Sequence, residues 1–198
     1  MKKKSESSKC FLFFIFFICV VLLIFSIIGF VLFFNRKPKI ISEKENGGTV
    51  VLKYVTDFAG LKLLKAIPTS DIVGVQNLND GEFFDFSVDT SIDEAASIDY
   101  EISITKDKKT CNLSDEDVRI YLEREESGTY TKVFGPENFI KIKKATEIGS
   151  KSDSMLIYST RKTKTSTDNY RLRVWLSDKS LIAENYCNIE VFVNGKAK

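Results

Sequence analysis

The sequence predicts a mainly β domain of two packed antiparallel sheets, preceded by a single N-terminal transmembrane helix. Three observations predict it. Residues 10–34 form one uncharged apolar run. From Val50 onward, short segments alternate strictly between apolar and polar residues, the period of a half-buried strand. Turn-rich gaps separate these segments, and helical signatures are few.

The apolar run comes first. A bilayer core about 30 Å thick is crossed by about 20 apolar residues in helical form. Cys10 through Phe34 supplies 25 residues, of which only Ser26 and Gly29 fall outside the apolar set, and nine are phenylalanine. Its apolar residues go all the way round with no polar stripe, as lipid on every side requires. A buried helix of a soluble protein would have to hide all nine phenyl rings. A cleavable signal peptide would have an apolar stretch of about 7 to 15 residues and small residues at the cut; no alanine occurs before Ala59, and Ile18 before Cys19 is wrong for a lipobox. Lys2, Lys3, Lys4 and Lys9 precede the run and Arg36, Lys37 and Lys39 follow it, which nearly ties the positive-inside comparison. The short basic tail marks a signal anchor. The expected layout is a cytoplasmic tail (1–9), a transmembrane helix (10–34), a linker containing Pro38 and Asn46-Gly47-Gly48 (35–48), and an extracytoplasmic sandwich (49–198).

Charge and composition exclude several functions. Seven of the 29 Lys and Arg residues precede Ile40 against one of the 27 acids, so the remainder carries a net −4. That mildly acidic domain lacks the basic stripe of a nucleic-acid binder. Histidine is absent. Ser-His-Asp hydrolases, Cys-His proteases, sortases, HExxH metalloproteases and most catalytic zinc sites therefore cannot be assembled from this chain.

Within the domain, four strands are predicted most clearly. They are Phe84–Val88, Ile98–Ile104, Tyr170–Leu176 and Ile189–Val193, each with apolar residues at alternate positions. Val50–Tyr54, Leu61–Ala66, Tyr130–Phe134 and Met155–Ser159 are weaker strands. Val118–Glu125 reads two ways: Ser114 with Asp117 resembles a helix cap, but β-branched residues and Gly128 favour a strand. Asn79-Asp80-Gly81 is a turn signal.

No set of residues demands chemistry, and neither a cofactor nor a metal is expected. Cys111 and Cys187 would close a long loop as a disulfide in an oxidising compartment, or remain two small unpaired side chains. The acids Asp80, Glu82, Asp85, Asp89, Asp93, Glu94, Asp99 and Glu101 crowd together and would suit calcium, but EF-hand spacing is absent and alternation puts several on a solvated face. An Asp/Glu pair in a cleft would make a surface glycosidase. Ser152-Asp153-Ser154-Met155 matches four residues of a membrane-anchored signal peptidase motif, without that family's second motif. Asn112-Leu113-Ser114 is formally a glycosylation acceptor. Arg171, Arg173 and Trp175 share the outward side of one strand and form a candidate interaction surface, since Trp and Arg are enriched at hot spots. The same indole would otherwise fill that face beneath a loop.

In order, Leu63-Leu64-Lys65-Ala66-Ile67-Pro68-Thr69-Ser70-Asp71, Phe84-Asp85-Phe86-Ser87-Val88, Tyr100-Glu101-Ile102-Ser103-Ile104 and Tyr170-Arg171-Leu172-Arg173-Val174-Trp175-Leu176 resemble anchored β-sandwich surface proteins of low-GC Gram-positive bacteria. More distantly they are similar to the TasA and camelysin group of biofilm-matrix proteins. The resemblance implies a jelly-roll or immunoglobulin-like sandwich at the cell surface, assembling by strand exchange. The chain departs from the secreted matrix proteins in having no processing site before the domain. The expected function is a non-catalytic, membrane-anchored structural or interaction module, held in the membrane by residues 10–34 and meeting other surface or matrix proteins.

Overall fold

A computed structural model describes residues 18–25, 39–45, 47–76, 83–145, 153–182 and 184–198. The chain divides into two compact units, Met1–Lys37 and Pro38–Lys198. In the first, residues 18–25 are helical and all but Val21 are exposed; the rest of the predicted span lies outside the described residues. Among the described residues, no helix is long and apolar enough to cross a membrane.

The second unit is mainly β. Its strands are β1 (Lys39–Glu45), β2 (Gly48–Tyr54), β3 (Gly60–Leu64), β4 (Phe83–Ile92), β5 (Ile98–Cys111), β6 (Val118–Glu126), β7 (Thr129–Asn138), β8 (Met155–Lys162), β9 (Ser166–Leu176) and β10 (Tyr186–Ala197). They form a six-stranded sheet in the order β1-β2-β4-β9-β6-β7 and a four-stranded sheet in the order β3-β10-β5-β8. Every ladder pairing between strands is antiparallel.

Alternation explains the two layers. Phe84, Phe86 and Val88 of β4, Ile120 and Leu122 of β6, and Leu172 and Val174 of β9 all turn to one side of the larger sheet and are buried. Ile98, Ile102 and Ile104 of β5 and Ile189 and Val191 of β10 are buried in the same core from the smaller sheet. Two polar residues that reach inside are paired: Tyr100 of β5 and Tyr170 of β9 bring their hydroxyls to 2.5 Å, and the Tyr100 hydroxyl donates to Asp168 at 2.8 Å. Lys162 Nζ completes the chain by donating to Asp168 at 2.8 Å. Burial, more than any neighbour, pushes both phenols above their ordinary range. Two hydroxyls from opposite sheets thus satisfy one another inside an apolar core, where an unmade hydrogen bond is costly.

One expectation needs correction, and one left open between two readings is decided as the favoured strand. The segment 35–48 is not simply a linker, because Lys39–Glu45 forms β1 and pairs with β2 from Lys39↔Tyr54 to Glu45↔Gly48. The Asn46-Gly47 pair is a hairpin signal: Gly47 has φ 86°, the left-handed backbone that glycine adopts without strain. Val118–Glu126, ambiguous from sequence, is β6, with Val118, Ile120 and Leu122 fully buried. The cap-like pair before it closes a turn instead of opening a helix, with Asp117 Oδ2 accepting from Ser114 Oγ at 2.6 Å. The Asn79-Asp80-Gly81 turn lies outside the described residues.

Candidate functional site

The outer face of the six-stranded sheet gathers the candidate residues. Because β9 alternates, Asn169, Arg171, Arg173 and Trp175 lie on the side opposite the core residues Tyr170, Leu172, Val174 and Leu176. Its neighbours set the partners: Asp85 of β4 stands opposite Arg171, and Tyr121 of β6 stands opposite Arg173.

Arg171 is held on three sides. Its Nε and Nη2 donate to the two oxygens of Asp85, both at 2.7 Å. Its guanidinium carbon lies 4.8 Å from the Phe83 ring centre and 4.3 Å from that of Tyr130, stacked between the two. The bond to Asp85 raises its pKa above an ordinary arginine's. Partial burial, then the Asp85 charge, raises the Tyr130 phenol. Arg173 is buried and donates from Nε to Glu123 Oε2 at 2.8 Å, and Glu123 is buried too. This is an ion pair withdrawn from water on what alternation alone marks as a solvent face.

Trp175 is not a surface contact. It is 4 % exposed, lying beneath the helical turn Asp71–Gly74, with the Tyr121 ring tilted against it at 6.4 Å. Gly74 rests directly on the indole. A Cβ there would fall 2.4 Å from Cε2 of Trp175. The indole therefore fills the sheet face under a connecting segment, and of the three predicted contacts only Arg171 keeps partial exposure. Gly74→Ala is expected to lift the turn and wet the indole, at a cost of about 1 to 3 kcal/mol. The measurement is the emission maximum of the chain's one tryptophan: it should move to the red, and an unchanged maximum would contradict this packing.

Beside Arg171 the same face sinks into a concavity of about 340 Å³ lined by Lys53, Asp85, Ser87, Glu125, Tyr130 and Asn169, among others. It holds an arrangement relevant to a carboxylate-pair enzyme, Asp85 with Glu125. Both acids are engaged: Asp85 by Arg171, and Glu125 by Asn169, whose Nδ2 donates to Oε2 at 2.8 Å. Two further acids of the crowded segment are likewise matched. Asp89 pairs with Lys53. Asp99 receives Arg161 and Lys198, whose hydrogen bonds hold its carboxyl well below the usual range. Among the described residues, no group of three or more His, Cys, Asp or Glu could hold a metal ion; Asp80 and Glu82 lie outside them. Ser154 is buried just ahead of β8, and Ser152 lies outside the described residues.

Cys111, at the end of β5, stands opposite Cys187 of β10, and their sulfurs are bonded. Asn112 next to this bridge uses both ends of its amide: Nδ2 donates to the Glu184 carbonyl at 2.8 Å, and Oδ1 accepts from the Tyr186 amide at 2.9 Å. That side chain pins the start of β10 in place.

Sequence reasoning did not pair Asp85 or Glu123 with an arginine. They lie 86 and 50 positions from their arginines, so no local pattern joins them, although charge at outward strand positions is the available hint.

The geometry defines a β-sandwich whose one marked face is a neutralised polar and aromatic platform. No family model matches the chain, and no curated protein matches it either. Neither comparison ties it to the surface proteins that its motifs resemble.

Proposed function

We propose that the protein is a non-catalytic module of the cell surface, anchored by residues 10–34 as a single-pass helix with its N-terminus in the cytoplasm and its sandwich outside. The observation that carries this reading is the Cys111–Cys187 bond, joined to the uncharged 25-residue run. Disulfides persist in oxidising compartments and are rare in the cytosol, while the run suits lipid as its solvent. Partners would be other surface or matrix proteins, meeting a sheet face or the outer edge of β1, where Ile40 and Ile41 are exposed. Within the sandwich class, a jelly roll is favoured over an immunoglobulin arrangement. From β2 to β6 and again from β7 to β10 every connection changes sheet, whereas immunoglobulin strands often return within one sheet.

A carboxylate-pair hydrolase finds support in Asp85 and Glu125 on one concavity. The engagement of both acids by neighbouring side chains weighs against it.

The test is proteolysis of intact cells. Added protease is expected to digest residues 40–198 without lysis, leaving a membrane-retained N-terminal fragment. Protection of the domain until the cells are opened would overturn the placement.

A further inference from the structure

The exposed apolar side chains of the sandwich are unevenly placed, and the ladder registers show where. Lys39 stands opposite Tyr54, Tyr54 opposite Phe86, and Phe86 opposite Tyr170. Three antiparallel steps make β1 run against β9, so β1 begins at its end nearer Leu176 of β9. At that end Leu176 passes into the 177–185 connection leading to Tyr186. Thr69 bridges Ser177, Leu64 pairs with Tyr186, and Lys39 Nζ donates to Asp57 Oδ1 at 3.1 Å in the corner after β2.

Leu64, Ile67, Ile72, Val73, Leu181 and Tyr186 all project from this end, with exposures from 46 % for Tyr186 to 97 % for Leu181. Val55, just past β2, and Ile140, whose amide donates to the Asp115 carbonyl in the connection from β5 to β6, are exposed at the same end. Among the described residues of this unit, the only other large apolar side chains exposed are Ile40 and Ile41 on β1. The opposite end, with its turns after β1, β4, β6 and β8, exposes none of them. Clustering of this kind marks a contact surface, whereas single exposed apolar residues need no explanation.

The covalent chain identifies what that surface meets. Asn35 to Pro38 are the only residues between Phe34 and Lys39, and five residue steps span at most about 18 Å. If the apolar run lies in lipid, the reading on which this inference rests, chain length alone keeps Lys39, where β1 begins, close to the bilayer surface. We infer that this end of the sandwich docks on the membrane, with its aliphatic side chains seated in the headgroup layer as in interfacial segments. Lys65, Lys141 and Lys179 are interspersed there with Asp178 and Glu184, all exposed, so apolar insertion and not net charge supplies the attraction. The occupant is therefore the lipid interface irrespective of headgroup charge.

Trp175 is a built-in reporter, since it is the chain's one tryptophan and lies under the turn that carries Ile72 and Val73. The full chain is reconstituted into phosphatidylcholine vesicles with or without bromine on the acyl chains, floated on a density gradient, and read by Trp175 emission. The chain is expected to float, and its emission to be markedly lower with brominated lipid. The triple variant Ile67→Ser, Ile72→Ser, Leu181→Ser should float equally and lose most of that quenching. Should the triple variant lose its native near-ultraviolet circular dichroism, Leu181→Ser alone is read in the same way, with part of the quenching lost. Floating with equal emission in both lipids overturns docking and leaves the anchor standing. Quenching that the substitutions leave unchanged also overturns docking. Failure to float overturns the anchor and the docking together.

Discussion

Glu123→Ala is expected to destabilise the sandwich by about 1.5 to 3 kcal/mol, because it removes the charged carboxylate that the buried Arg173 Nε bonds at 2.8 Å. Both side chains are nearly excluded from solvent, 7 % and 10 % exposed. Part of their cost of desolvation is therefore offset by this pairing. A loss of that size is a large part of a typical domain's total stability, about 5 to 15 kcal/mol. Replacing both residues by methionine should recover most of the loss, since neither charge then remains to be buried. Asp85→Ala provides the contrast: its side chain is 43 % exposed, so water can take over, and the change should stay within about 1 kcal/mol. Urea unfolding of the four proteins measures all of this. Equal losses for Glu123→Ala and Asp85→Ala would mean that the Arg173 pair is not sequestered as described.

Reduction of the Cys111–Cys187 bond is the second large effect. The bridge closes 76 positions of chain, for which the chain-entropy account gives a stabilisation of about 4 to 5 kcal/mol through the unfolded state. With a urea slope of about 2 kcal/mol per molar, the unfolding midpoint should fall by about 2 M on reduction. The double variant Cys111→Ala, Cys187→Ala should reproduce the fall and be indifferent to reductant. A midpoint that reductant leaves in place would show that the two thiols are unpaired in the protein as made. Cys187 is fully buried and pairs across the ladder with Cys111, so the folded strands already hold the sulfurs together and little native-state freedom is lost.

Much of this architecture was legible because strands write their burial into the sequence at a period of two. Phe84–Val88, Ile98–Ile104, Tyr170–Leu176 and Ile189–Val193 each bury one side, and all lie within observed strands. The hidden parts are those where outward positions are covered. Trp175 follows the alternation correctly and still ends up buried, because the turn Asp71–Gly74 comes over it from a distant part of the chain. Arg173 and Glu123 do the same as a pair. Strand β1 was missed for a related reason: Lys39, Ile40 and Ile41 are exposed and charges fill most of the rest of its sequence, as edge strands tend to have, so it carries no alternation to read.

Local chemistry, then, was enough to specify a long uncharged apolar run and a set of half-buried strands, because both are written in side chains that repeat along the chain. Which strands became neighbours, which acid answers which arginine, and which end of the sandwich is apolar were decided only on folding. Those outcomes depend on residues many positions apart sharing one face, and no periodic signal encodes that.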